Sequence, residues 1–166
     1  KLFIQECVRL GVDGFYVSTQ GGESGRFHNK NDFEDYIKPF DIEILEMIQS
    51  MGKIAILHIC DYWMPYESLA PFISYPCDMV SAPTSYKDGR KISPSDLYKL
   101  FNKPILGGLD RKGSIKNGPI EKIVEEVKLL LDNAPPRFMI GADCTVADAN
   151  WSYLREAITM AHSCCE

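Results

Sequence analysis

The stretch KIAILHIC, Lys53–Cys60, combines a continuous apolar run with a polar end. Runs without the alternation of a half-exposed strand are typical of parallel strands that helices cover. Four further stretches have the same character: DGFYVST (13–19), CDMVSAP (77–83), KPILGGLD (103–110) and RFMIGADC (137–144). The sequence therefore predicts five strands of one parallel sheet.

Segments with helical spacing of apolar residues separate these strands. They cover residues 2–10, 31–52, 93–101, 117–133 and 150–162, and the segment 65–75 is a weaker candidate. Pro39 is expected to interrupt or kink the second of them, because proline removes a helical hydrogen bond. The alternation of strands and helices predicts an α/β fold with right-handed crossovers.

Two architectures fit this order of elements: an open doubly wound sheet, or part of a (β/α)8 TIM barrel. A complete barrel usually has about 250 residues, and this chain has 166. No glycine-rich phosphate-binding turn follows a strand, which disfavours a dinucleotide-binding sheet. The chain also opens inside a helical pattern without an initiator Met. We therefore interpret residues 1–166 as one partial domain, the C-terminal five βα units of a barrel whose N-terminal part is absent.

The composition of the chain limits the classes of binding partner and the cellular compartment that we expect. The net charge of −5 argues against a nucleic-acid or anionic-membrane partner. No apolar run reaches the roughly 18 residues of a membrane-spanning helix. The six cysteines accompany an α/β pattern without a secretory signal, which favours reduced thiols and a cytoplasmic location.

Candidate functional residues follow the C-terminal ends of the predicted strands, where parallel α/β folds place their active sites. The opposite ends carry ordinary charged residues. The C-terminal ends hold, in chain order, Gln20, Glu23, His58, Cys60, Asp61, Asp110, Arg111, Asp143 and Cys144. This asymmetry predicts an enzyme.

His58, Cys60 and Cys144 are a ligand set of the kind that zinc prefers. Residues two apart on a strand point the same way, so His58 and Cys60 would face the barrel axis together. Cys144 would join them if the inner face of the last strand carries Ile140, Ala142 and Cys144. Zinc binds such nitrogen and sulfur ligands tetrahedrally, and catalytic sites keep one position open. The alternative is structural, with a hydrogen-bonded histidine and cysteines that act as small apolar residues.

The charged neighbours leave more alternatives open. Glu23, Asp61 and Asp143 could supply a fourth ligand or a partner that orients His58. Equally, Glu23 could be a solvated loop residue and Asp61 a helix cap. The guanidinium of Arg111 is suited to bind an anionic substrate.

Four stretches resemble the C-terminal part of the uroporphyrinogen decarboxylase superfamily: GVDGFYVSTQGG (11–22), ILHICD (56–61), GGLDRKGSIKNG (107–118) and RFMIGADCTV (137–146). The resemblance implies a (β/α)8 barrel. The superfamily contains metal-free decarboxylases of porphyrin biosynthesis, which remove carboxyl groups from a tetrapyrrole. It also contains methylcobalamin:coenzyme M methyltransferases, which hold zinc in an H-x-C…C motif. His58, Cys60 and Cys144 match that motif, although HICD and GADC depart from its usual HICG and GC-type turns.

The resemblance therefore implies a zinc-dependent enzyme that transfers a methyl group from a methyl-corrinoid to a small thiol. The methylcobalamin-type co-substrate would be free or held by a corrinoid protein. Glu23 or Asp61 would accept the thiol proton, and Gln20, Asp110, Arg111 and Asp143 would contact the substrate. The alternative is a metal-free decarboxylase of a tetrapyrrole polycarboxylate. In either case we expect the open sheet edges to be covered, by N-terminal barrel units or by a second copy of the chain.

Overall fold

A parallel five-stranded sheet organises the structure, a computed structural model that describes residues 1–23, 25–29, 31–148 and 150–163. The strands follow each other across the sheet in chain order, and every neighbouring pair is parallel. They are β1 (Gly14–Thr19), β2 (Ile54–Ile59), β3 (Met79–Ser81), β4 (Ile105–Leu109) and β5 (Phe138–Ala142). A doubly wound sheet reverses its strand order at a switch point. The unreversed order is that of an arc of a (β/α)8 barrel and confirms the predicted α/β architecture.

Helices precede and follow the strands. They are α1 (Leu2–Arg9), α2 (Asp32–Tyr36), α3 (Lys38–Ser50), α4 (Pro94–Phe101), α5 (Ser114–Asn117), α6 (Ile120–Asp132) and α7 (Trp151–Ser163). The predicted helix 31–52 is divided in two at Ile37, with Pro39 in the first turn of α3, as its proline predicts. Among the residues that the structure describes, no helix has the length and hydrophobicity to cross a membrane.

The predicted weak helix over 65–75 is wrong. Only a single 3-10 turn forms there, over Ala70–Phe72. The segment contains Pro65 and Pro71 and is followed by Pro76, and each proline removes a backbone donor. The loop is held instead by Phe72, which packs edge-on against Phe33 in the core.

The core lies between the sheet and its helices. Alternation along β2 directs Ala55, Leu57 and Ile59 into it, where they are fully buried. Leu45 and Ile48 of α3 belong to the same cluster. These residues alternate with His58 and Cys60, which the sequence directs to the barrel axis, so the predicted side-chain alternation of β2 is confirmed.

The opposite face of the sheet, here called the inner face, is apolar and partly open. The register pairs Ile56 with Met79 and His58 with Ser81. Towards the N-terminal ends of the strands, Ile54 is 53 % exposed. In a closed barrel this face is filled by side chains from all the strands. The exposure of this face is therefore what an incomplete barrel is expected to show.

Self-association should follow from this exposed inner face when a protein of these residues is studied alone. We expect sedimentation velocity to show species larger than a monomer at micromolar concentration. The inner face can bury apolar surface against another copy, and the edges of β1 and β5 can pair with another strand. Ile54→Thr together with Met139→Thr should reduce the associated fraction. Leu129→Thr changes an exposed apolar residue of α6 and serves as the control. A strictly monomeric protein would contradict the arc interpretation.

Candidate metal centre

Three potential metal ligands meet at the C-terminal edge of the sheet. The ligand atoms of His58, Cys60 and Cys144 all lie within 4.8 Å of one another, and the two sulfurs are 3.7 Å apart. Two sulfurs bound tetrahedrally to zinc, at about 2.3 Å each, lie about 3.8 Å apart. A disulfide would bring them to about 2.05 Å, and both cysteines are free. The three groups thus have the chemistry and the spacing to hold a metal ion.

The end of β2 supplies two of these ligands. His58 is the penultimate residue of the strand, and the Cys60 amide still donates to the Thr19 carbonyl at 3.0 Å. The backbone is therefore held to β1 through Cys60, and residues two apart point the same way. Ile59 lies between the two ligands and is buried in the core on the helix side.

Cys144 reaches the centre by a route that strand alternation does not describe. Ile140 and Ala142 pack in the helix-facing cluster with Leu109, so the condition that they share the inner face is not met. The strand ends at Ala142, and the Asp143 amide donates to the Leu109 carbonyl at 2.8 Å. The chain then bends at residues 143–144. This bend, rather than the pleat, brings the Cys144 sulfur to Cys60.

His58 is held by two residues that the sequence analysis did not single out. Its Nδ1 lies 3.2 Å from the Ser81 hydroxyl, which in turn lies 3.1 Å from the Tyr16 hydroxyl. The Tyr16 ring also stacks on the imidazole, with centroids 5.0 Å apart. With Nδ1 engaged, Nε2 is the nitrogen left to bind a metal. The sequence signal for Ser81 was its place at the end of β3, while its register with His58 is set by the sheet.

Burial shifts the pKa values of two of the ligands, His58 and Cys144. It lowers the pKa of His58 from 6.5 to about 4, so the imidazole is neutral at neutral pH, which is the form that binds metals. Burial likewise raises the pKa of the Cys144 thiol. Gln20 donates from Nε2 to the Cys60 sulfur at 3.2 Å and so helps to hold that sulfur in place. Its predicted contact with substrate stays a prediction.

Asp61, Arg111 and Asp143 form one ionic cluster beside the ligands. Arg111 is only 5 % exposed. Its Nη1 lies 2.5 Å from Asp61 Oδ1 and 3.7 Å from Asp143 Oδ2, and its amide donates to Asp143 Oδ1 at 2.9 Å. Thr84 donates its hydroxyl hydrogen to Asp143 Oδ2 at 3.1 Å. Burial raises the pKa of Asp143. The guanidinium is thus already paired, and its predicted binding of a substrate anion stays a prediction.

Glu23 and Asp110 lie outside the three-ligand cluster. Glu23 is buried, accepts a hydrogen bond from the Gly21 amide and lies 3.8 Å from Arg26 Nη1, so the solvated-loop alternative is wrong. Asp110 accepts from the Lys112 amide at 2.8 Å in the turn after β4. Their predicted catalytic and substrate-binding roles stay predictions.

The helix-cap alternative for Asp61 is wrong. No helix begins next to it in the described residues, since the first turn of helix after β2 starts at Ala70. Its carboxylate pairs with Arg111 instead.

Comparison with known proteins supports the fold through structure alone. No protein-family model matches the chain, and a search of curated proteins finds no match. Among solved structures, the chain is similar to a methyltransferase from Methanosarcina mazei, with a TM-score of 0.71 and 15 % sequence identity. That alignment covers 99 % of this chain and 46 % of the other.

A second similar structure is a B12-independent methionine synthase from Shewanella sp. W3-18-1, determined in complex with selenomethionine. The TM-score is 0.58 at 15 % identity, over 97 % of this chain and 50 % of that protein. The chain thus spans about half the length of the solved proteins it matches. At this identity the likeness establishes the fold, and it confirms the partial barrel that the sequence predicts.

Proposed function

We propose that the chain belongs to the uroporphyrinogen decarboxylase superfamily and forms the zinc-binding part of a methyltransferase that moves a methyl group from a methyl-corrinoid to a thiol. The observation that carries the proposal is the cluster of His58, Cys60 and Cys144, whose sulfurs stand 3.7 Å apart. This is the motif on which the sequence resemblance to the zinc-dependent methyltransferases depends.

The structural neighbours support methyl transfer more broadly than they support a corrinoid donor. One is described as a methyltransferase and the other as a methionine synthase. Because the second is described as B12-independent, the choice of a methyl-corrinoid rests on the sequence motif. The choice of a thiol as the methyl acceptor rests on the three protein ligands, because such a centre keeps one position open, which a substrate sulfur could occupy.

In the proposed centre, His58 would bind the metal through Nε2, while Cys60 and Cys144 bind as thiolates. Zinc held there would bind the substrate sulfur and lower its pKa, so that a thiolate nucleophile is present near neutral pH. Ser81 orients the imidazole through Nδ1, and Gln20 donates to the Cys60 sulfur. Both contacts hold the ligands in place before substrate arrives.

In the transfer itself, the substrate sulfur would take the methyl group from the methyl-corrinoid, forming a sulfur–carbon bond as the carbon–cobalt bond breaks and its electron pair stays with the corrinoid. The thiol proton would go to a base, for which Glu23 and Asp61 are the candidates from the sequence. We place the methyl-corrinoid, free or carried by a partner protein in the cytoplasm, at the edge of the sheet that holds the ligands.

The alternative, metal-free decarboxylation of a tetrapyrrole, finds less support in this part of the barrel. A substrate with several carboxylates needs cationic side chains to bind them. Arg111, the main candidate from the sequence, is buried and paired with Asp61 and Asp143. Metal-free decarboxylation would also leave the cluster of His58, Cys60 and Cys144 without a role.

Replacing a ligand tests the proposal directly. Cys60→Ala and Cys144→Ala should each abolish stoichiometric zinc in the purified full-length protein and lower methyl transfer to a thiol by at least about a hundredfold, because one ligand is lost. Elemental analysis and a methylcobalamin assay measure the two effects. Cys7→Ala, on α1, is the matched control and should leave both unchanged. A wild-type protein that contains no stoichiometric zinc would refute the proposal.

The pH dependence of zinc binding should reveal the two thiols. Because the pKa of His58 is lowered to about 4, histidine releases no proton when zinc binds above about pH 5. A cysteine ligand that is still a thiol does release one, because zinc binds the thiolate. Apparent zinc affinity should therefore rise by about tenfold per pH unit for each ligand that is still a thiol. Calorimetry in buffers of different ionisation enthalpy counts the released protons, and a count near zero would contradict the thiolate assignment.

A further inference from the structure

We propose that Arg111 is a positioning residue that fastens together the two turns bearing Cys60 and Cys144, and so sets the distance between their sulfurs. This inference rests on the metal centre proposed above. It gives Arg111 a role in building the centre in place of the substrate contact that the sequence suggested.

The need for such a fastening follows from the sheet order. Cys60 follows β2 and Cys144 follows β5, with β3 and β4 between them. Neighbouring strands lie about 4.8 Å apart, so β2 and β5 are separated by roughly 14 Å along the sheet. No backbone ladder joins β2 to β5 directly. The spacing of 3.7 Å between the sulfurs must therefore be set by contacts between the turns themselves.

Arg111 supplies these contacts from the turn after β4. Asp61 is the residue immediately after Cys60, and Asp143 is the residue immediately before Cys144. One Arg111 nitrogen, Nη1, lies 2.5 Å from Asp61 and 3.7 Å from Asp143. The Arg111 amide holds the other Asp143 oxygen at 2.9 Å. One residue thereby joins the backbone neighbours of both cysteine ligands.

A further hydrogen bond supports the contacts of Arg111, and they are shielded from water. Thr84, in the loop after β3, donates to Asp143 Oδ2 at 3.1 Å, so the turns after β2, β3, β4 and β5 are all connected. Arg111, at 5 %, and Asp143, at 3 %, are nearly inaccessible. Charge-assisted hydrogen bonds are stronger in such surroundings than in water. The second guanidinium nitrogen, Nη2, lies 3.5 Å from the Asp61 carbonyl oxygen, a contact that the single nitrogen of a lysine ammonium cannot add to the others.

The test compares zinc affinity in variants of the full-length protein, by competition with a chromophoric chelator. Arg111→Met should weaken zinc binding by about ten- to a hundredfold, the usual effect of removing a residue that supports metal ligands. Arg111→Lys should restore only part of the loss. Arg90→Met is the matched control, because it breaks an exposed arginine–aspartate pair, Arg90 with Asp88, and should leave affinity unchanged.

Cobalt(II) spectra add a readout that a purely structural role would not move. Cobalt in place of zinc gives sulfur-to-metal charge-transfer and tetrahedral d–d bands. In Arg111→Met these should weaken or shift at a temperature where circular dichroism shows the apo-protein fully folded. Thr84→Val removes only the bracing hydroxyl, and we expect it to lower zinc affinity severalfold. If Arg111→Met does not fold, Arg111→Lys and Thr84→Val decide the question.

The outcomes separate the two proposals. If the wild-type protein binds neither zinc nor cobalt, the metal centre is refuted, and the role of Arg111 with it. If the wild type binds zinc and the folded variants bind it equally well with unchanged cobalt spectra, the centre stands and the positioning role is refuted. Weakened binding with altered spectra in the Arg111 variants, but not in Arg90→Met, supports the positioning role.

Discussion

The contact between the Cys60 and Cys144 sulfurs depends on the parallel pairing of every strand from β1 to β5. Parallel pairing brings all five C-terminal ends to one edge, where the turns that follow can meet. Reversing one strand would carry its polar end to the opposite edge. The ligand cluster is therefore a consequence of the sheet, and the sheet depends on the apolar column of β2 that packs against α3.

The charged residues beside this contact, Asp61, Arg111 and Asp143, are better explained by the orientation they give to the turns than by a contribution to the free energy of unfolding. Removing a guanidinium and two carboxylates from water carries a large desolvation cost, which their mutual attraction only partly offsets. Well-packed apolar side chains would serve a core at least as well. An apolar contact, however, is non-directional, whereas the guanidinium and the amide of Arg111 fix where Asp61 and Asp143 lie. The cluster thus occurs where orientation matters more than the free energy of unfolding.

The sequence predicted those features of the structure that depend on the local periodicity of apolar residues. Alternation placed His58 and Cys60 on one face, and apolar runs separated by helical patterns gave the order of elements. What could not be predicted came from long-range contacts or from the end of a regular element. The Cys144 sulfur is placed by a bend after β5, Ser81 meets His58 only through strand register, and the pairing of Arg111 joins residues far apart in the chain. The wrong prediction of a helix over 65–75 is a different case. The prolines of that segment argue against a helix, but the prediction gave more weight to the spacing of its apolar residues.

The open inner face bears on the chemistry of the centre as well as on association. Tyr16 stacks on His58 but is itself 50 % exposed, so water reaches one side of the stack. Even so, burial already lowers the pKa of His58 to about 4; the neutral imidazole does not require a closed barrel. Covering this face would desolvate the site further, which would strengthen polar contacts such as that of Gln20 with the Cys60 sulfur. It would also raise the cost of a Cys144 thiolate without a cation, so that thiol would stay protonated until a metal binds.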